Sequence, residues 1–408
     1  MAAVAAVALS GCRIVIEVPE GGSVTSNNGV LCNAGESCEI DIIDATFYDV
    51  FSAVAASGYE FEGWEKGNGY LCGGSTDQCT LNAAGLSGAS ALFASDLIVY
   101  LRPKFRDPSQ LYDQQEWASF LGGLGASNYR SNSYLYRDIP NVDQCDPGRM
   151  TSSAKNRFLY SLNMVRRLHN LPEVVYGNQY DVEMQQTNLV QEANDYFTHY
   201  PSPGDTCYTL DGDNGAGSSN LSWTSWQSDP ARAPLSWVND NNNVSSLMAA
   251  GHRRWVLYPY LSISAYGQVA GYSSMKVFGF DSSPAVDLAD ELEYIAVPYQ
   301  TYPYVLVSKG SRPTPWSLTM VPASGSGSYN HFSNASVSVV ETSSGNSLSV
   351  HSQYYDNRGY GMRNFLSWMV DGWEYDTEYT VTVESVNTPT NPSRTIEYRV
   401  EIDREELL

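Results

Sequence analysis

Between Thr151 and Tyr200 the apolar residues recur every three or four positions, whereas on both flanks they recur every second position. In "TSSAKNRFLYSLNMVRRLHNLPEVVY", Phe158, Leu162, Val165 and Leu168 share one helical face, Ser and Thr stand ready as N-caps, and "NLP" stops the run. "QYDVEMQQTNLVQEANDYFTHY" predicts a second helix with Val182, Leu189, Ala193 and Tyr196 on one face. Residues 13–106 read as all-β, from "RIVIEV" through "CEIDIIDATFYDVFSAVAA" to "ALFASDLIVYLRPKF". Beyond about residue 284, "ASVSVVE", "SLSVHSQYY", "EYTVTVESV" and "TIEYRVEI" alternate again. Two changes of period in 408 residues predict a multidomain α+β chain. Its expected divisions are a β module over 13–106, a connector over 107–150 with a short helix before its double glycine, a mixed domain over 151–283, and a β domain over 284–408.

A net charge of −22 from 45 acidic and 23 basic residues argues against nucleic acid as a partner, which needs a dense basic patch. It argues equally against adsorption on anionic lipid. The opening "MAAVAAVALSGC" ends an apolar run at Leu9-Ser10-Gly11-Cys12 and resembles a bacterial lipobox, implying residues 1–12 as leader and lipid on Cys12. An apolar leader with an incidental cysteine is the alternative. Cys32, Cys38, Cys72, Cys79, Cys145 and Cys207 remain, and an even count behind an export signal reads as disulfides. Six cysteines allow 15 pairings, of which proximity favours Cys32–Cys38, Cys72–Cys79 and Cys145–Cys207.

His199 and His252, two of five histidines, stand at the ends of different elements. Two such imidazoles can hold one divalent cation, zinc most readily, and Asp240 could complete the shell or act as base on a bound water. The competing reading is that both histidines only pack and hydrogen-bond. In "GHRRWVLYP" (251–259), Trp255 and Leu257 are expected to anchor a strand, Gly251 to admit close backbone approach, and Arg253 or Arg254 to pair with an acid. Ser219, His252 and Asp240 suggest a nucleophilic triad, but no G-x-S-x-G elbow surrounds Ser219. "DGDNG" lacks the glutamate of a calcium loop, and His331 and His351 read as surface or turn histidines.

Five ordered blocks resemble the CAP superfamily (cysteine-rich secretory, antigen 5, pathogenesis-related type): "LNMVRRLHNLPEVVY", "YFTHYPSPGDTCY", "GSSNLSW", "WVND" and "GHRRWVLYP". The resemblance implies an α-β-α sandwich over 151–283, with His199 and His252 as cavity histidines and Asp240 as a shortened acid. Ser219 stands where relatives carry a glutamate, as a cavity partner to an imidazole. Residues 13–106 resemble an internalin-type B-repeat, with Trp64 in the core, and "DTEYTVTV" resembles the tyrosine corner of an Ig-like sandwich, with Tyr379 at the corner. The functional expectation is an exported, lipid-anchored protein whose groove binds an extracellular small molecule, lipid or glycan, with a divalent metal as an optional cofactor. A metal-assisted hydrolase and a non-catalytic adhesion protein are the alternatives. The missing glutamate at 219 disfavours the hydrolase.

Overall fold

The computed structural model describes residues 12–404 except 43, 57–58, 66–68, 74, 76, 84–96, 107–110, 244–245, 282–285, 287, 289–291, 322–331 and 389–392. Residues 1–11 of the expected leader, and His331, lie outside the described residues. The chain is mixed α+β and divides into two compact units, Met1–Gln110 and Leu111–Leu408. No helix among the described residues is long and apolar enough to cross a membrane.

The first unit is built of strands. Cys12–Glu17 pairs antiparallel with Ser37–Ile42 and parallel with Ile98–Leu101. A second sheet runs in the order Leu31–Asn33, Gly22–Ser26, Tyr48–Ala55 and Cys79–Asn82, and Glu60–Trp64 pairs with Pro103–Arg106. The alternation seen in the sequence buries Ile14, Ile16, Val24 and Phe51 around Trp64, which is 1% exposed. Cys32–Cys38 and Cys72–Cys79 are disulfide-bonded, and Cys12 is a buried free thiol at the start of its strand.

The second unit begins where a connector was expected. Helix α1 (Gln114–Gly122) is capped by the Asp113 carboxylate and stops at the double glycine. Its Trp117 and Phe120 join the same apolar cluster as Phe158, Trp316 and Ile402, so the segment is part of the core. The short α2 (Asn132–Leu135) follows, then α3 (Ser152–Arg167), N-capped by Thr151, whose hydroxyl accepts from the Ala154 N–H at 3.1 Å. Phe158, Leu162, Val165 and Leu168 are all buried, as their spacing predicts. The second predicted helix is α4 (Asp181–Asn194), ended by Asp195 in the left-handed region at φ 49°. Of the expected face only Leu189 is fully buried. Val182 is 57% exposed, and the buried side runs through Met184, Asn188 and Gln191. Hydrogen bonds hold polar side chains there: Asn188 Nδ2 donates to Met184 O and Ser274 Oγ, and Gln191 Oε1 accepts from Thr198 N–H, while Asn188 Oδ1 has no partner among the described residues.

Helices α5 (Leu210–Gly217), α6 (Arg232–Asn239) and α7 (Gly251–Val256) complete the helical part. Among them Ser219–Trp223, Tyr272–Lys276 and Tyr266–Val269 form an antiparallel sheet, while Val175–Tyr176 and Ile263–Ser264 pair in parallel. The disulfide Cys145–Cys207 ties the residues before α3 to those before α5. Two four-stranded sheets follow. One runs Tyr294–Val297, Trp316–Met320, Phe365–Asp371, Ser349–Asp356, and the other Gln300–Pro303, Arg394–Asp403, Glu378–Val386, Ser336–Glu341. The Tyr379 hydroxyl accepts from Glu374 N–H at 2.8 Å, a side chain reaching back to backbone just upstream as in a tyrosine corner.

Candidate functional site

Gly251–Val256 of "GHRRWVLYP" forms a helix where a strand was expected. Ala250, at φ 41°, turns the chain into α7, whose buried residues are Arg253, Arg254 and Val256, followed by Leu257. Trp255 is only half-buried, and a Cβ on Gly251 would meet open space, so that glycine serves no close approach. The two guanidiniums are buried whole. Arg253 donates to the carbonyls of Val238, Asn239 and Pro315. Arg254 donates to Met362 O and, at 2.8 Å, to the Asp356 carboxylate, which is the expected acid partner. Burial pushes Arg253 down to about 10, partly offset by the Asp240 charge, which leaves it cationic at neutral pH.

Asp240 and His252 are brought together. α6 ends with Trp237 buried, its Nε1 donating to Leu221 O at 3.1 Å, and Asp240 then takes the left-handed conformation at φ 53°. That turn aims the carboxylate at the start of α7. Oδ2 accepts from the His252 backbone N–H at 3.1 Å and Oδ1 lies 2.8 Å from Nδ1. Asn220 Nδ2 donates to His252 O at 3.0 Å. A carboxylate at Nδ1 places the proton there, so Nε2 carries the lone pair. No hydrogen bond from a described residue reaches Nε2. The pair lines a cleft of about 610 Å³ with Phe197, Trp223, Tyr272 and Asp195. Phe197 and Trp223 are 50% and 56% exposed at that cleft. Burial, then the Asp195 and Glu192 charges, raise the Tyr272 phenol, which stays a hydrogen-bond donor.

His199 and Ser219 are not among the residues lining this cleft. His199 Nδ1 lies 2.7 Å from Ala216 O, which fixes its tautomer in the same sense as that of His252. Ser219 is buried, with Oγ 3.4 Å from Met184 Sδ, so the serine–histidine–aspartate constellation does not assemble. His351 is a surface histidine beside Asp371, as expected. No local pattern signals the cluster of Lys276 with Glu183 and Ser218, because Lys276 Nζ reaches them across 93 and 58 residues.

The donor set does not fit a resident zinc centre. A catalytic zinc takes three protein ligands and leaves one position open. Among the described residues the only grouping of three possible ligands is Cys32, Glu36 and Cys38, whose sulfurs are joined in a disulfide. Both Asp240 oxygens serve His252, and that side chain is 1% exposed, so it orients the imidazole from behind. The chain matches no family model and no curated protein.

Proposed function

We propose that this is an exported, lipid-anchored protein whose residues 151–283 form a CAP-like α-β-α domain that binds an extracellular ligand in the His252–Asp240 cleft. In this reading lipid is carried on Cys12, the first unit is a B-repeat-like spacer, and the last two sheets form an Ig-like sandwich. The observation that carries it is the cleft itself: an imidazole oriented by a buried carboxylate, flanked by the half-exposed rings of Phe197 and Trp223. Exposed aromatics beside one positioned polar group suit a ligand with an apolar face and one hydrogen-bonding group, a lipid or a cell-wall fragment. The His252–Asp240 pairing favours a second reading, a hydrolase in which His252 Nε2, rather than Asp240, is the base.

Titrating the full chain with a lysophospholipid and with a muropeptide, followed by tryptophan fluorescence, tests the binding reading. Saturable binding weakened by both Trp223→Ala and His252→Ala supports it. Binding of neither probe, or binding indifferent to both substitutions, overturns it. Turnover of the muropeptide that His252→Ala abolishes moves the reading to the hydrolase.

A further inference from the structure

A second cleft of about 520 Å³ is lined by Trp255 of α7 with Tyr258, Phe278, Ser262, Met362 and Arg363. It belongs to neither histidine. Its volume lies within the range of about 300–1,000 Å³ of small-ligand sites. Trp255 and Phe278 set their ring centroids 4.9 Å apart at 32°, and Phe278 is 42% exposed, so an aromatic platform faces solvent. Gly361 holds a φ of 60°, and a Cβ there would come within 2.5 Å of Arg254 O and 3.0 Å of the Trp255 ring, so its loop closes directly on that platform.

Three polar facts narrow the ligand. Among the described residues no aspartate or glutamate lines the cleft. Arg363 is exposed, and no described carboxylate pairs with it, although its charge acts on the Tyr258 phenol. Ser262 is 6% exposed, and among the described residues its hydroxyl has no hydrogen-bond partner. A buried hydroxyl without a partner costs free energy unless something supplies one.

We propose that this cleft binds a saccharide carrying a carboxylate. A pyranose presents a flat face of C–H groups that packs on an aromatic ring. A carboxylate matches the forked donors of Arg363, and ring hydroxyls complement Tyr258 and Ser262. An aliphatic lipid would leave both the guanidinium and the hydroxyls unanswered. The net charge of −22 offers no diffuse basic surface to collect anions, so saturable binding of one reports a specific site.

Calorimetry on the full chain tests this with trimers of galacturonate, mannuronate and guluronate, the methyl ester of the galacturonate trimer serving as neutral control. At least one acidic trimer is expected to bind more tightly than the ester. Arg363→Gln should weaken that trimer about ten-fold, or about 1.4 kcal/mol, and leave the ester unchanged. Phe278→Ala, at an exposed ring that costs the fold little, should weaken both, and His252→Ala neither. No binding of any acidic trimer at millimolar concentration overturns the proposal. So does equal affinity for acid and ester, an Arg363→Gln protein that binds as wild type, or loss of binding in His252→Ala, which would place the saccharide in the other cleft.

Discussion

Removing the Asp356 charge should destabilise the protein more than removing its partner Arg254. The two side chains are 4% and 0% exposed and lie 2.8 Å apart. In Asp356→Asn, the Arg254 guanidinium stays buried with only neutral acceptors, the Met362 and Arg358 carbonyls and the amide oxygen at 356. Leaving one ion of a buried pair uncompensated costs about 3–5 kcal/mol. In Arg254→Met, the remaining carboxylate keeps a second cation: Arg358, 61% exposed, donates from Nε at 3.0 Å, and its backbone N–H donates at 2.9 Å. What is lost is the shared donor of the Met362 and Arg358 carbonyls, of which the charge-assisted bond to Met362 O is worth about 1.5–3 kcal/mol. The two variants should therefore differ by about 1–2 kcal/mol. The double variant should cost no more than Asp356→Asn alone, since Met removes the stranded cation. Urea denaturation followed by tryptophan fluorescence compares the midpoints at equal slope. Arg254→Met proving as costly as Asp356→Asn, or additive losses, would refute the reasoning. The acid limb gives an independent check. Burial raises the Asp356 carboxyl, but hydrogen bonds from Arg358 and Arg254 outweigh it and hold it below its ordinary 3.8. The unfolded chain then takes the proton first, so this contribution is present above pH 3.8 and fades as pH falls through the lower folded value. Asp356→Asn should show a shallower loss there.

Burial, with Arg253 and Arg166 nearby, holds His169 neutral down to about pH 3, while its ordinary value is 6.5. The unfolded state alone binds this proton between those values, so stability should fall with pH from 6.5 towards 3 by up to about 1.4 kcal/mol per unit. His169→Gln should flatten that slope in urea titrations run at several pH values. Replacing Cys145 and Cys207 by alanine opens a span of 62 residues, worth about 4 kcal/mol of chain entropy, against about 2 kcal/mol for the six-residue span of Cys32–Cys38. A larger midpoint shift for the shorter bridge would contradict this. Asp240→Asn offers one acceptor to the two donors of His252, so a backbone N–H or Nδ1 loses its partner at about 1–3 kcal/mol. The ¹⁵N shifts of His252 should then report a mixed tautomer; an unaltered Nδ1–H would show that Asp240 does not set it.

What the sequence made legible follows from how local each signal is. The α3 face and its Thr151 cap could be read because apolar spacing and capping act within one turn. The disulfides could be read because two of the three close short loops. The α4 face could not, because Asn188 and Gln191 are buried by partners elsewhere in the chain, and hydropathy ranks them as surface. The Asp240–His252 pair was visible as two residue types twelve apart, but its geometry depends on left-handed turns at Asp240 and Ala250, neither a glycine. Within 107–150 the short helix before the double glycine was legible, but the burial of Trp117 and Phe120 was not, because it is decided by partners such as Tyr160.

The concentration of cations in "GHRRWVLYP" now has a physical reason that belongs to neither histidine. Arg253 and Arg254 are fully buried and face opposite neighbours, one tying the end of α6 to Pro315, the other tying the loop of Met362 to α7. Arg166, also buried, donates to the carbonyls of Val256, Tyr258 and Leu261, so the chain leaving α7 is held by a third guanidinium. Backbone carbonyls in irregular loops need donors, and an arginine supplies five from one rigid fork without a side-chain partner at each end. A lysine at any of these positions could not span the same acceptors. The consequence reaches both clefts. Asp240 sits directly after the α6 carbonyls that Arg253 holds, and Trp255 and Met362 flank the bonds that Arg254 makes. An arginine lost here would loosen binding walls while leaving every lining residue in place, and a site held this way is ordered before its ligand arrives.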